Sequence, residues 1–154
     1  MSYKRIEISI GLIKSKSSYI CLKRSEQPYK NFIEFPGGKK KNNETATQCL
    51  IREIKEELNI EINKLKFISC IKHLYGDVLI NINIFNIHRY SGQIISNENR
   101  EIVLFDTKCD YEILPTHDRI LNLLKLPKLL KIITPNNLDN DSFKSCLLYT
   151  SDAA

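Results

Sequence analysis

Apolar residues dominate two early stretches of the chain, Ile6–Lys14 and Tyr19–Lys23, which are separated by the polar tetrapeptide Ser15–Ser18. A short extended piece, Phe32–Phe35, comes later and is ended by Pro36-Gly37-Gly38. Apolar, β-branched runs on either side of a short polar turn are typical of a β-hairpin. We therefore expect the fold to begin with two paired strands.

A helix is predicted from about Glu44 or Thr45 to Leu58. Its apolar residues recur at the spacing that places them on one helix face: Ala46, Cys49, Leu50, Ile54 and Leu58. Either Asn43 or Thr45 can cap the first turn, because both side chains accept hydrogen bonds from free backbone N–H groups. Asn59 tolerates the left-handed conformation that often ends a helix, so we expect the helix to stop there.

Three later segments have strand character, Leu65–Lys72, Val78–His88 and Ile102–Asp106, and Pro115–Leu126 has a helical pattern. Isoleucine and asparagine alternate from position 80 to 84, which predicts a strand with one buried and one polar face. Helices on both sides of a mixed β-sheet give an α/β/α sandwich, in the α/β (α+β) class. We expect this architecture for residues 1–126.

The end of the chain has a different pattern. A proline at position 127 is followed by a short apolar run and then by a polar stretch. We expect residues 127–145 to be a linker or the start of a truncated second domain. Residues 146–154 resemble translated sequencing-adapter read-through, so we expect a non-native tail there.

The composition favours a packed intracellular domain. Hydrophobic residues make up 42% of the 154 residues and charged residues 27%, and the formal net charge is +5. The five cysteines form no C-x-x-C pair, and no apolar stretch is long enough to span a bilayer. We expect a cytoplasmic protein with reduced thiols, and neither a membrane nor a nucleic-acid polymer as partner. The net charge fits a polyanionic small ligand, but it also fits many proteins that bind nothing acidic.

Three glutamates of the predicted helix, Glu53, Glu56 and Glu57, are spaced by three and four positions. That spacing places three carboxylates on one helix face, where they repel one another. A hard divalent cation reverses this repulsion, since oxygen is the ligand that Mg²⁺ prefers. The pair Gly37-Gly38 has no Cβ atoms and can bring backbone close to a metal or a phosphate. A solvated face, balanced by neighbouring basic residues, is the alternative.

The whole segment from Gly38 to Ile60 resembles the Nudix box, G-x5-E-x7-R-E-U-x-E-E-x-G-U, where U is an aliphatic residue. The residues that match are Gly38, Glu44, Arg52, Glu53, Ile54, Glu56, Glu57 and Ile60. Asn59 stands where the family has glycine, and asparagine can serve at a helix end. The resemblance implies the Nudix sandwich fold and hydrolysis of a nucleoside diphosphate linked to another group.

The resemblance also implies roles for these residues. In Nudix enzymes the helix glutamates bind the metal, so the candidate ligands are Glu53, Glu56 and Glu57. The backbone of Gly37 would lie beside them, with Mg²⁺ as the expected cofactor and Mn²⁺ as the alternative. Arg52 would orient a glutamate through a charge-assisted hydrogen bond, and Glu44 would support the loop before the helix.

Residues Glu34–Lys39 read E-F-P-G-G-K and resemble the entry of the MutT branch, which cleaves oxidised purine nucleoside triphosphates to monophosphate and pyrophosphate. The resemblance implies a nucleotide site that includes Arg24, Glu34, Phe35, Pro36 and Gly37. For Phe35 the alternative is core packing, and for Arg24 it is a solvated charge at a strand end.

Two further residues enter through the same resemblance. Glu98 falls where MutT-type enzymes place a loop glutamate near the metal, as a further ligand or general base, and a solvated loop residue is the alternative. His117 lies where the branch has an asparagine that hydrogen-bonds the oxidised base. Histidine can donate and accept, but its geometry differs from that of an amide. We therefore leave the preferred base open.

The favoured function is a pyrophosphohydrolase of (oxidised) (deoxy)nucleoside triphosphates that sanitises the nucleotide pool, an activity related to DNA repair. The alternatives are another nucleoside-diphosphate-linked substrate and a non-catalytic nucleotide-binding module, against which the carboxylate cluster argues. Residues Leu126–Pro135 resemble the opening strand of a thiamine-phosphate synthase-like barrel, which is fused to some MutT-type domains. A disordered or strand-swapped tail is the alternative there.

Overall fold

The computed structural model describes residues 4–106 and 112–125, and those up to Leu124 belong to one compact unit. Its elements are β1 Lys4–Ser15, β2 Ser18–Lys23, β3 Ile33–Glu34, β4 Gly37–Lys39, α1 Ala46–Leu58, β5 Glu61–Tyr75, β6 Val78–Ser91, β7 Ile102–Phe105 and α2 Pro115–Lys125. The linker and tail expected at 127–145 and 146–154, like the strand resemblance that begins at 126, fall outside the described residues.

The strands form one mixed sheet with β1 near its centre. β1 pairs in parallel with β6, from Lys4↔Val78 to Ile13↔Ile87, and antiparallel with β2 at the predicted hairpin. The sheet continues through β6 to β5 on one side, and through β2 to β3 and β7 on the other. The hairpin is confirmed, although its turn is tighter than predicted because Ser15 and Ser18 already pair.

The antiparallel strands β5 and β6 both extend beyond their predicted ends. Their pairing runs from Glu61↔Ser91 to Tyr75↔Val78, with register shifts near Lys64. The prediction relied on apolar side chains, whereas the ladder of backbone hydrogen bonds continues through polar positions as well. The two strands therefore form a long arm of the sheet.

Two apolar cores cover the two faces of the sheet. The core under α1 contains Ile13, Ile20, Leu22, Leu50, Ile54, Leu58, Ile60, Phe85 and Ile87. The core on the α2 side contains Ile10, Leu12, Cys21, Ile33, Phe35, Ile82, Ile84, Phe105 and Ile120. Successive side chains of a strand point to opposite faces, so β1 and β6 contribute to both cores. The predicted α/β/α sandwich is confirmed.

The polar face predicted for β6 is correct only in part. Asn81 and Asn83 are half-buried, and the Asn83 amide lies 3.4 Å from the Ile8 carbonyl oxygen. Phe85 and Ile87 continue the same face into the core under α1. The face is therefore polar at one end and apolar where the helix covers it.

Helix α1 begins after Thr45 and not after Asn43. The Thr45 hydroxyl accepts a hydrogen bond from the Gln48 N–H at 3.2 Å, and the Gln48 side chain accepts one from the Thr45 N–H at 2.8 Å. This reciprocal pair is a capping box, which Asn43 has no equivalent partner to form. Asn59 ends the helix in the left-handed conformation, with φ 57° and ψ 25°, as predicted.

Neither described helix has the length and apolar character needed to cross a bilayer. Three cysteines in the described part of the chain are free, of which Cys21 and Cys49 are buried and Cys70 is exposed. Burial keeps a thiol protonated, and it raises the pKa of Cys49 and of Cys21.

Candidate active site

Strand β4 brings the two glycines against the central strand, a pairing that the sequence did not predict. Ser9 pairs with Gly38 and Ile10 pairs with Gly37. Gly37 has a φ of +142°, and a Cβ placed on it lies 2.1 Å from the Ser9 carbonyl oxygen. Only glycine combines this conformation with so close an approach. We call Gly37 and Gly38 the glycine corner.

Two glutamates of α1 lie at the glycine corner. Glu57 Oε2 accepts a hydrogen bond from the Gly37 N–H at 2.7 Å. The Glu53 carboxyl group lies against Gly38, where an added Cβ would be 2.4 Å from Glu53 Cδ. Residues four apart share a helix face, so one face of α1 presents both carboxylates to the corner. The absence of a side chain on Gly38 is what leaves space for Glu53.

Arg52 gathers the other carboxylates of the motif into one cluster, which we call the Arg52 cluster. Its guanidinium bonds Glu44 at 2.6 and 3.0 Å, Glu53 at 2.7 Å and Glu56 at 2.9 Å. It also donates to the Lys39 carbonyl oxygen at 3.2 Å. Hydrogen bonds from Arg52 and from the Lys41 N–H lower the pKa of Glu44 to about 2. The cluster thus fixes the loop before α1 to the helix.

A second arginine, Arg100, lies on the other side of the glycine corner. It donates to Glu57 Oε1 at 2.8 Å, to Glu34 Oε1, and through Nε to the Lys23 carbonyl oxygen at 3.2 Å. The second oxygen of Glu34 accepts a hydrogen bond from Arg24 at 2.6 Å. We call Arg24, Glu34, Glu57 and Arg100 the Arg100 cluster.

Glu98 reaches the edge of this cluster. Its Oε2 lies 3.8 Å from Arg100 Nη1, and its side chain is 53% exposed. The neighbouring Asn97 fixes the loop to the end of α1, because its N–H donates to the Glu57 carbonyl oxygen and its amide donates to the Glu56 carbonyl oxygen. The loop therefore presents Glu98 at the mouth of the site, exposed but close to its charges.

Glu57 is the buried carboxyl group of the site, with 5% of its surface exposed. Burial raises its pKa to about 8, while the Gly37 N–H and the charge of Arg100 act in the opposite direction. A further cation beside Glu57 would favour the ionised form in the same way.

A cavity of about 260 Å³ opens beside the glycine corner. Its polar wall contains Arg24, Glu34, Lys39, Glu57 and Arg100, and its apolar wall contains Ile8, Ile10, Phe35, Ile82, Leu114 and His117. Pockets with one charged and one apolar wall suit ligands that carry both charges and rings. The cavity therefore offers space for a nucleoside next to the carboxyl groups of Glu34 and Glu57.

Phe35 and His117 form the floor of that cavity. Their rings stack with centroids 5.4 Å apart at an interplanar angle of 7°. Phe35 is 2% exposed and also meets Tyr19 and Phe105 edge to face, so core packing explains its position. His117 is buried, and burial lowers its pKa to about 4, so its imidazole is neutral at pH 7. Pro36 is buried as well and accepts a backbone hydrogen bond from Gly11.

The oxygen atoms available as metal ligands at the glycine corner fit a hard divalent cation. They are carboxylate and backbone oxygens, and Gly38 leaves the space beside Glu53 that a Cβ would fill. Within residues 4–106 and 112–125, no three ligand-type side chains converge closely enough to hold a metal. Arg52 bonds Glu53 and Glu56, while Arg100 and the Gly37 N–H bond Glu57.

Sequence reasoning missed Arg100, whose partners Glu57 and Glu34 lie 43 and 66 positions away. It stands in the charged stretch 97–101, where only Glu98 was selected. No local signal distinguishes Arg100 from a solvated loop arginine, since its importance arises from strands that meet only in the folded chain. The hydrogen bond between Arg24 and Glu34 was missed for the same reason.

Known proteins of similar sequence and fold point to one family. A family model described as the NUDIX domain matches residues 4–124. An 8-oxo-dGTP diphosphatase of Buchnera aphidicola subsp. Schizaphis graminum is 40% identical over 98 residues, which cover 64% of this chain and 73% of that protein. An 8-oxo-dGTP diphosphatase of Proteus vulgaris is 30% identical over 98 residues, which cover 61% of this chain and 86% of that protein.

The fold is similar to that of a solved MutT NUDIX hydrolase from Burkholderia pseudomallei. The TM-score is 0.70 at 19% identity, and the match covers 79% of this chain and 99% of the other. Family model, relatives and fold agree with the resemblance that the segment from Gly38 to Ile60 carries. This chain belongs to the Nudix family.

Proposed function

We propose that this domain is a divalent-metal-dependent pyrophosphohydrolase of (deoxy)nucleoside triphosphates, oxidised ones included, that releases nucleoside monophosphate and pyrophosphate. The observation that carries the proposal is the placement of Glu53 and Glu57 at a glycine corner from which a cavity of about 260 Å³ opens. The names of the two relatives support the same reaction class, and removal of oxidised nucleotides from the pool is its biological purpose.

The proposed metal ligands are Glu53, Glu56 and Glu57, with the Gly37 backbone beside them. Mg²⁺ is the proposed ion and Mn²⁺ the alternative. When bound, such an ion polarises a phosphate group and activates a water molecule. Arg52 keeps two of these carboxylates in place, since it bonds Glu53 and Glu56 together.

The remaining residues bind and orient the nucleotide. Arg24 lies in the cavity wall, where its guanidinium can meet a phosphate or the sugar–base unit. Glu98 stands at the mouth and is exposed enough to meet an attacking water as general base, or to serve as a further ligand. Glu34 supports Arg24 through their hydrogen bond.

His117 is the proposed contact to the base. A neutral imidazole offers one donor and one acceptor at separate atoms, whereas an asparagine amide offers both from a single group. We therefore expect a smaller preference for 8-oxo-dGTP over dGTP than an asparagine would give. Turnover of 8-oxo-dGTP, dGTP, CTP and an ADP-sugar, measured side by side, decides between this substrate class and another nucleoside-diphosphate-linked substrate.

The central test replaces Glu53 or Glu57 by glutamine. Glutamine keeps the shape but removes the charge, so Mg²⁺-dependent pyrophosphate release should fall by about a thousandfold or more. Glu61→Gln is the matched control, because Glu61 is an exposed glutamate of β5 whose only described ion pair is with Lys55 at 3.4 Å. Circular dichroism verifies that all three variants fold.

Two results would contradict the proposed function. One is unchanged turnover in both corner variants. The other is wild-type protein that binds a nucleoside triphosphate without any turnover, which is the behaviour of a non-catalytic Nudix module. A domain end near residue 126, a following linker, a fused thiamine-phosphate synthase-like partner and a cytoplasmic location stay predictions of the sequence.

A further inference from the structure

Arg100 stands outside the family motif, yet it is the more deeply buried of the two arginines. Its side chain is 9% exposed, against 21% for Arg52. Its backbone N–H donates to Ser96 Oγ at 3.0 Å and its Nε donates to the Lys23 carbonyl oxygen at 3.2 Å. The first bond anchors the backbone of Arg100 and the second anchors its side chain, and neither involves a carboxylate. A guanidinium held in this way presents its two terminal nitrogens in a fixed plane.

Those two nitrogens join residues with different proposed tasks. Nη1 bonds Glu57, which faces the glycine corner, and Nη2 bonds Glu34, which holds Arg24 in the cavity wall. A continuous series of charge-assisted hydrogen bonds thus runs from Arg24 through Glu34, Arg100 and Glu57 to the Gly37 N–H. Arg24, which we propose to bind the nucleotide, is thus joined to the glycine corner by one hydrogen-bond network.

We propose that Arg100 is a positioning residue, which sets Glu57 at the glycine corner and ties its position to that of Arg24 through Glu34. This inference rests on the proposed function, because it takes Glu57 as a ligand of the cation. A carboxylate has four lone-pair sites, so Glu57 can keep both described hydrogen bonds and still face a cation. Hydrogen-bonding partners behind a ligating carboxylate fix its orientation in this manner.

A lysine at position 100 separates positioning from charge. Lysine retains the positive charge but carries a compact ammonium group, which cannot hold Glu57, Glu34 and the Lys23 carbonyl oxygen in one plane. The electrostatic environment of the corner is then preserved while the alignment is lost. Arg89→Lys is the matched control, because Arg89 is exposed on β6 and has no ion pair in the described part of the chain.

The experiment measures Mn²⁺ binding to the free protein by electron paramagnetic resonance of unbound Mn²⁺. We expect Arg100→Lys to weaken Mn²⁺ binding about tenfold, as loss of such a partner typically does. Glu34→Gln should weaken it by about threefold, because the hydrogen bonds that join Glu34 to Glu57 run through Arg100. The double variant should bind Mn²⁺ no more weakly than Arg100→Lys, and Arg89→Lys should bind it like the wild type.

The combination of variants distinguishes two roles of Arg100. In the first, which we call a relay, Arg100 transmits the position of Glu34 to Glu57; in the second, which we call a structural brace, it only stabilises the fold. A brace would lower the thermal stability of Arg100→Lys and leave the Mn²⁺ affinity of the folded protein unchanged. Effects of Arg100→Lys and Glu34→Gln that multiply in the double variant would overturn the relay. If Arg100→Lys does not fold, Glu34→Gln decides alone, and an unchanged Mn²⁺ affinity there overturns the inference.

The same titrations separate this inference from the proposed function. If Glu57→Gln binds Mn²⁺ as the wild type does, the assignment of Glu57 to the metal fails, and with it the proposed function. If Glu57→Gln loses Mn²⁺ binding while Arg100→Lys keeps it, only the role of Arg100 fails. Steady-state kinetics add one more readout, since we expect Arg100→Lys to raise KM for the nucleotide and to lower kcat together.

Discussion

Two arginines organise the carboxylates on opposite sides of the glycine corner, and they differ in where their partners come from. The carboxylate partners of Arg52 lie within eight positions of it along the chain. The carboxylates that hydrogen-bond Arg100 lie 43 and 66 positions away, whereas its longer ion pair with Glu98 at 3.8 Å is local. The first cluster is a property of one helix and its loop, whereas the second exists only because β2, β3 and α1 meet. A motif records the first kind of cluster and omits the second.

The two clusters also differ in their surroundings. In the Arg52 cluster the side chains of Arg52 and Glu56 are 21% and 51% exposed, whereas the Arg100–Glu57 pair at the centre of the other cluster is only 9% and 6% exposed. Ion pairs in contact with water contribute little to stability, and loss of one partner from a buried pair is costly. We therefore expect changes at the Arg52 cluster to affect chemistry more than folding, and changes at the Arg100 cluster to affect both.

The largest expected effect is on the free energy of unfolding, and it distinguishes Gly37 from Gly38 within the glycine corner. In Gly37→Ala the new Cβ would lie 2.1 Å from a backbone oxygen, at a φ of +142°. We expect a loss of about 3 to 4 kcal/mol in the free energy of unfolding, measured by chemical denaturation.

Gly38→Ala is the companion variant. The three atoms nearest to its Cβ all belong to the carboxyl group of Glu53, which can rotate away. We expect less than about 1 kcal/mol of destabilisation together with a loss of turnover of about a hundredfold. Equal destabilisation by the two alanines would show that the corner does not divide in this way.

Much of the Arg52 side of this comparison follows from the sequence alone. The helix, its end at Asn59 and the common face of Glu53 and Glu57 depend on spacings of a few residues, which a linear pattern preserves. Strand β4 does not follow from the sequence, because two glycines and a lysine have no strand pattern and become a strand only through pairing with β1. The role of Arg100 cannot be predicted for a related reason, since its hydrogen bond to Glu34 depends on the strand register that places the two residues side by side.

The next effect is the pH dependence of the free energy of unfolding, which we expect His117, in the apolar wall of the cavity, to govern. Burial, with a smaller contribution from Arg24, lowers the pKa of His117 to about 4, against about 6.5 in the unfolded chain. Below pH 6.5 the unfolded chain binds a proton that the folded domain does not, so stability falls as the pH falls toward 4. The expected total is roughly 3 kcal/mol.

His117→Asn provides the test, because asparagine does not titrate in this range. Denaturation between pH 4 and pH 7 should show a weaker pH dependence in the variant than in the wild type. If the slopes are the same between pH 4 and pH 6.5, the imidazole does not govern stability in this window. The same variant carries the amide that the MutT branch uses, so its ratio of 8-oxo-dGTP to dGTP turnover should rise.

A smaller effect on folding is expected at the Arg52 cluster. Arg52→Lys keeps the charge but cannot bond Glu44, Glu53 and Glu56 together. We expect turnover to fall about ten- to a hundredfold, with a change in unfolding free energy of about 1 kcal/mol. Kinetics and denaturation of the same sample give both numbers. A large loss of stability with unchanged kcat would reverse the contrast with Arg100.

The smallest effect lies at the end of α1. Asn59 has φ 57°, a left-handed conformation that glycine adopts without strain. Asn59→Gly restores the family residue and should stabilise the domain by about 0.5 kcal/mol or less, without change in turnover. Thr45→Ala at the opposite end removes the capping box and should cost about 1 kcal/mol. Thermal unfolding of both variants measures the pair.

The parallel pairing of β1 with β6 has a consequence for biogenesis. The contact between the Asn83 amide and the Ile8 carbonyl oxygen joins residues 75 positions apart. Parallel neighbours cannot be connected by a short turn, and such distant pairings form late in folding. A nascent chain that ends before Val78 already carries every residue of the motif, but it lacks the strand that seals one edge of β1. We therefore expect the site to be completed only after β6 has been synthesised.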